Sequence, residues 1–177
     1  MGKSKKKNPR RIPLDKSTFD LEAIRSEAAE MGLTHAWLLV ANALTELEYA
    51  SPDQISTLAD TVNRTEVKRS DYALAERITG LEVPSYMIDV RNINSPVDLD
   101  RCKRRIADIG LKAGLRTLCV GLEQHFSRGQ LERLFLNIRL TLAEIDAGCN
   151  TYREIEDGLV RRNIVLDKDT VSTASGC

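Results

Sequence analysis

The chain repeats itself, and the repeat limits what it can fold into more than any other feature. Shifted along itself by 78 positions, STFDLE (17–22) lies over SPVDLD (95–100). Ser17 then meets Ser95, Asp20 meets Asp98 and Leu21 meets Leu99. Gly32-Leu33 falls on Gly110-Leu111, and Leu44 on Leu122. Two residues then drop out. At a shift of 76, SPDQISTL (51–58) lies over SRGQLERL (127–134), matching Ser51, Gln54 and Leu58 to Ser127, Gln130 and Leu134. Val62 meets Ile138 and Thr65 meets Thr141. The matches sit at helix starts and along apolar stripes, the positions a shared packing unit keeps.

Each matched signal has a physical reading. Ser17-x-x-Asp20 and Ser95-x-x-Asp98 are N-terminal helix signatures, in which the serine caps a free backbone N–H and the acid sits at the positive end of the dipole. Ser51-x-x-Gln54 and Ser127-x-x-Gln130 are capping boxes that start a second helix. Pro52 and Pro96 suit a first helical turn. Between the caps, Leu21, Ile24, Ala28, Met31, Trp37, Val40, Ala41 and Leu44 recur at threes and fours. Leu99, Ile106, Ile109, Leu115, Leu118, Cys119 and Leu122 do the same in the second copy. Each copy therefore predicts a long helix, a tight turn, a second helix (52–66 or 128–147) and a short third one (71–79 or 152–162). Tyr72 and Tyr152 align and are expected to pack each third helix onto its hairpin. MIDV (87–90) is a candidate to pair with IVL (164–166) as a small strand.

The fold class expected is all-α: two tandem copies of a helix hairpin plus a short third helix, packed as a pseudo-twofold bundle. Residues 1–16 form a basic arm, 17–83 the first copy, 84–95 a linker, 96–166 the second copy, and 167–177 a disordered tail. Small residues mark where the copies should touch. Gly32, Ala36 and Ala43 align with Gly110, Gly114 and Gly121, on one face of each long helix. Glycine inside a helix costs up to about 1 kcal/mol against alanine, so a gain elsewhere is expected. Small residues let two backbones approach closely, and the long helices are expected to cross there.

Charge is distributed as unevenly as the repeat is even. Lys3, Lys5, Lys6, Lys7, Arg10 and Arg11 precede the first acid, Asp15. The whole chain balances 26 basic against 26 acidic side chains; without those six it carries 20 against 26, or −6. A basic arm on an acidic body suits contact with phosphate groups, or folding back on the body itself, and it reads equally as a solubilising disordered terminus. A second cationic run, RCKRR, puts Arg101, Lys103, Arg104 and Arg105 in the first turns of the second long helix. A solvated helix face accounts for the run; the alternative is a phosphate contact that complements the arm, which gains some weight because cations there oppose the helix dipole.

The string KKKNPRRIP (5–13) resembles the start of a group of small helical proteins from phages and prophage-like elements of Firmicutes. These are roughly half as long, and continue into a long helix, a second helix and a short third one. The resemblance covers residues 3 to about 83, and the second copy matches only in layout. It implies an accessory protein of a mobile element, and a chain that fuses two partners of a dimer. The group has no established activity, so it carries over no site.

Catalytic patterns are lacking. The sequence has no phosphate-binding G-x-x-x-x-G-K-[ST], no H-E-x-x-H and no nucleophile elbow. His35 and His125 do not align between the copies. Glu46 and Glu48, and Glu154, Glu156 and Asp157, read as surface charge. Cys102, Cys119, Cys149 and Cys177 lack metal-ligand spacing and are expected to be reduced thiols, Cys119 in the core. No catalytic residue, metal or cofactor is expected, and no apolar stretch is long enough to span a bilayer.

The expected function is a cytoplasmic, phage-type accessory binding protein, weakly and non-specifically associated with nucleic acid through its arm and the 101–105 run. The alternative is an adaptor or inhibitor that binds a host protein through the acidic body. The chain is expected to be a monomer of pseudo-dimer architecture or a weak homodimer.

Overall fold

A computed structural model describes residues 20–63, 71–83 and 93–166. All regular structure among them is helical. The helices are α1 (Leu21–Glu46), α2 (Pro52–Asn63), α3 (Tyr72–Thr79), α4 (Pro96–Leu122), α5 (Arg128–Asp146) and α6 (Tyr152–Arg161). Residues 164–166 form no strand, and MIDV lies outside the described residues, as do the arm and the tail.

The caps read from sequence hold for α4 and α5. Ser95 Oγ accepts from the Asp98 backbone N–H at 3.2 Å. At α5, Ser127 and Gln130 form a complete capping box. At α2, the Ser51 backbone N–H donates to Gln54 Oε1 at 2.8 Å. The start of α1 differs from expectation. Asp20 is itself the cap, accepting from the backbone N–H groups of Glu22 and Ala23 at 3.0 Å each. A carboxylate does this as well as a hydroxyl and places its charge at the dipole. Ser17 lies outside the described residues.

The long helices α1 and α4 form the spine. They run in the same direction, since Lys103 meets Glu27 while Gly114, further along, meets Leu33 and Ala36. They cross where the sequence placed its small residues. A Cβ on Gly32 would strike the Ala107 carbonyl oxygen and lie 2.6 Å from the Leu111 backbone nitrogen. One on Gly110 would lie 2.9 Å from the Ala29 carbonyl oxygen. Further along, Gly121 accommodates Val62 of α2, whose Cγ1 a Cβ would approach to 2.5 Å.

The expected hairpins, α1 with α2 and α4 with α5, are corrected in one respect: each second helix packs more on other helices than on its own long helix. After its turn, α2 packs more on α4 than on α1, and α5 packs on α1 and α3. The third helices exchange as well, α3 against α4 and α6 against α1. Tyr72 accordingly lies beneath Arg116 of α4, whose guanidinium carbon is 4.9 Å from the ring centre. Tyr152 stacks on His35 of α1 at 3.6 Å. The crossing explains the exchange. It draws α1 and α4 so close that the apolar faces of the shorter helices each reach the opposite spine.

This arrangement also changes how α1 is buried. Ala36 to Ala41 are all buried, and so are Ala43 and Leu44. A helix segment enclosed on every side has no solvent face, so the single stripe read from sequence holds only for its first half. There Met31, assigned to the stripe, is 46% exposed. Trp37, Phe135, Leu115 and Leu118 fill the main core. Ala28, Ile93, Cys102 and Ile106 form a smaller cluster nearer the helix starts.

Two helix ends carry their own chemistry. Gly80 ends α3 in the left-handed region at φ 64°, which glycine adopts without steric cost. Beside it Arg139 Nη1 donates to the Thr79 carbonyl at 2.7 Å, a cation at the negative end of the dipole. Gly158, by contrast, lies inside α6 with only Arg161 Nη2 near, at 3.8 Å from an added Cβ. Gly158→Ala is therefore expected to stabilise the protein by about 0.5–1 kcal/mol, read as a higher unfolding midpoint in urea.

Candidate interaction surfaces

The basic residues expected to hold phosphate lie in two places. Lys3, Lys5, Lys6, Lys7, Arg10 and Arg11 are outside the described residues. In the 101–105 run, Arg101 is 4.0 Å from Asp98, Lys103 is 3.2 Å from Glu27 and Arg104 is 2.8 Å from Asp100. Arg105 is exposed and pairs with no acid among the described residues. Three of the four cations thus share their surface with carboxylates. Exposed pairs of this kind contribute at most about 1 kcal/mol to stability, but their acids cancel much of the local positive potential.

A groove that sequence reading did not find lies at the other end of α1. The α1–α2 turn supplies Tyr49, the α4–α5 turn supplies His125 and Phe126, and α2 supplies Asp53, Thr57 and Leu58 as part of its wall. Its volume is about 420 Å³, within the range of small-ligand sites. The Tyr49 and Phe126 rings stack with centroids 6.0 Å apart and planes inclined by 27°. Parallel spine helices bring both turns to one end of the molecule, so Tyr49 and Phe126, 77 positions apart in sequence, meet there. The aligned capping boxes that start α2 and α5 were the only hint of this meeting.

The solvent side of α5 exposes Leu136 and Leu140, 50% and 59% accessible and one turn apart. Glu46, one of the surface acids, accepts from Asn42 Nδ2 at 3.0 Å and from Asn137 Nδ2 at 3.1 Å. No group of three metal-ligating side chains occurs among the described residues. Cys119 is buried, and burial together with Glu123 pushes its thiol pKa up to about 12, which keeps it protonated and unreactive. Cys177 lies outside the described residues. Among the described residues, no helix is long and apolar enough to cross a membrane.

His35 is set into the α1–α6 contact, its ring stacked nearly parallel to that of Tyr152, with the planes inclined by 4°. Burial lowers its pKa below 6.5. Burial, with Asp146 and Asp108 nearby, raises that of Tyr152 to about 12. The sign for His35 follows from linkage. As pH falls, the unfolded chain takes up this proton first, so full stability holds above about 6.5 and is lost as pH falls through the lowered native value. His35→Phe keeps a stacked ring without a proton to bind. The unfolding midpoint is expected to fall further between about pH 7.5 and 5 for the native chain than for the variant. Equal falls would show that the imidazole titrates alike in both states.

Comparison with protein-family models, with curated proteins and with solved structures finds no match.

Proposed function

We propose that this chain is an accessory binding protein of the phage or mobile-element type, two fused units in one pseudo-dimer, that holds nucleic acid weakly through its basic arm. The observation that carries the reading is the separation of charge. Six cations stand together before the first acid, on a chain that is otherwise −6. The one cationic run of the body, 101–105, is largely paired with acids. Phosphate contact therefore falls to the arm, which supplies affinity without base recognition. Fusion of two units is supported by the internal alignment and by the reciprocal contacts: α3 on α4 answers α6 on α1, and α2 on α4 answers α5 on α1.

Fluorescence anisotropy with labelled duplex DNA tests this, comparing the full chain with one lacking residues 1–11. If all six cations meet phosphates, log K falls against log salt with a slope near −5. The truncated chain is expected to lose binding. Equal binding by both would remove the arm from the account.

A second reading, an adaptor that binds a protein through the acidic body, is favoured by the aromatic groove and by exposed Leu136 and Leu140. No DNA binding by either chain would favour it. Capture of a host partner by the truncated chain would then be the direct test.

A further inference from the structure

We infer that the groove between the two turns is a receptor for a cationic side chain, arginine above all, presented by an extended segment of a protein partner. The inference rests on the protein-binding reading and is independent of the arm's phosphate contacts.

The floor is aromatic. Tyr49 and Phe126 are half-buried and stack at 6.0 Å, and such rings attract a guanidinium laid across a face. The wall is rich in hydrogen-bond acceptors. Asp53 is exposed, and its carboxylate has no hydrogen bond or ion pair among the described residues. Thr57 donates its hydroxyl to the Asp53 backbone carbonyl at 3.1 Å, so what it offers the groove is lone pairs. Leu58 gives the alkyl stem of a long cationic side chain an apolar surface. Arginine fits this set best, being planar enough to lie on a ring while donating to a carboxylate at its edge.

The choice of occupant follows from charge and distance. A body of −6 attracts a basic segment and repels an acidic one. The chain's own arm joins α1 at its first residue, whereas the groove lies beyond its last. The 26 residues of α1 separate the two by about 39 Å at 1.5 Å per residue. Arg10 and Arg11, the arm's two arginines, lie ten and nine positions before residue 20 and their backbone reaches at most about 36 and 32 Å, short of that distance, whereas Lys3 to Lys7 have chain enough to span it; the arm is therefore the competing occupant that the deletion below tests. The alignment also shows why the corresponding positions of α5 do not offer the same set. Asp53 and Thr57 correspond to Gly129 and Arg133 on α5, which would offer a cation no carboxylate and one repelling charge.

The test is NMR titration of the full chain with two end-blocked pentapeptides of glycine and serine. One carries a central arginine, and the other carries citrulline, its uncharged isostere. The arginine peptide is expected to shift Tyr49, Phe126, His125 and Thr57, and to bind at least about tenfold more tightly than the citrulline peptide. Asp53→Asn is expected to remove most of that difference. Asp60→Asn, on the exposed side of the same helix, is expected to leave it unchanged. Equal binding of the two peptides would overturn the inference in favour of an apolar groove without charge preference. Arginine-dependent shifts spread elsewhere over the body would overturn this site while leaving the protein-binding reading intact. Groove resonances displaced by deleting residues 1–11 alone would make the arm the occupant and overturn the assignment to a partner.

Discussion

Gly32→Leu is expected to cost at least about 3 kcal/mol, the upper end of overpacking penalties. The reason is what the new side chain would meet. Around Gly32 the nearest atoms are backbone: the Ala107 carbonyl oxygen, the Leu111 nitrogen at 2.6 Å and the Gly110 carbonyl carbon at 2.9 Å. Backbone inside a helix cannot turn aside, so α4 must move as a body, and the burial of both spines is disturbed along their length. Leucine's better helix propensity returns only about 1 kcal/mol. Gly114→Leu provides the comparison. There the nearest atoms belong to side chains, Leu33 Cδ1 at 2.9 Å and Ala36 Cβ at 3.0 Å, and the first of these can change rotamer. Its expected cost is smaller, about 1–3 kcal/mol. Chemical denaturation of both variants gives the order. A Gly32→Leu midpoint equal to that of the native chain would place the crossing elsewhere.

Phe135→Ala is expected to cost about 3–5 kcal/mol, whereas Leu136→Ala, one position along α5, costs less than about 1 kcal/mol. Phe135 is fully buried in the main core, and truncation there leaves a cavity that the close spines cannot collapse to fill. Leu136 is half exposed and gives up little contact. Since adjacent residues on a helix differ by about 100° in direction, the pair tests the rotation of α5 about its axis. Similar costs for both, measured from denaturation midpoints, would mean that α5 presents a different face to α1.

Helix existence and type were legible in the sequence because their signals are local. Ser95, Ser127 and Gln130 cap as their spacing implies, since a cap needs only the three or four residues beside it. The crossing was legible for a related reason: a glycine kept in the same place in two long helices carries a cost that only close approach offsets. Partner choice was not legible. Ile55, Ala59 and Val62 make one apolar face on α2, and that face would suit α1 as well as α4. The decision lies in Gly121, whose missing side chain makes room for Val62 on a helix 59 positions away. The same holds for Met31, which fits the apolar period but is left 46% exposed. The groove went unread because neither turn forms it alone: Tyr49 and Phe126 become one floor only after the spines are laid side by side.

The parallel spines have a consequence for what one molecule can hold at once. Both turns point one way, and Asp20, from which the arm departs, points the other. The molecule is therefore polar in the geometric sense: the groove lies at one pole of a rod about 39 Å long, the length of α1, and the described chain begins at the other. A nucleic acid held by the arm and a basic protein segment held in the groove would be tethered to each other. Each would then raise the other's local concentration, so that two individually weak contacts could act as one durable link.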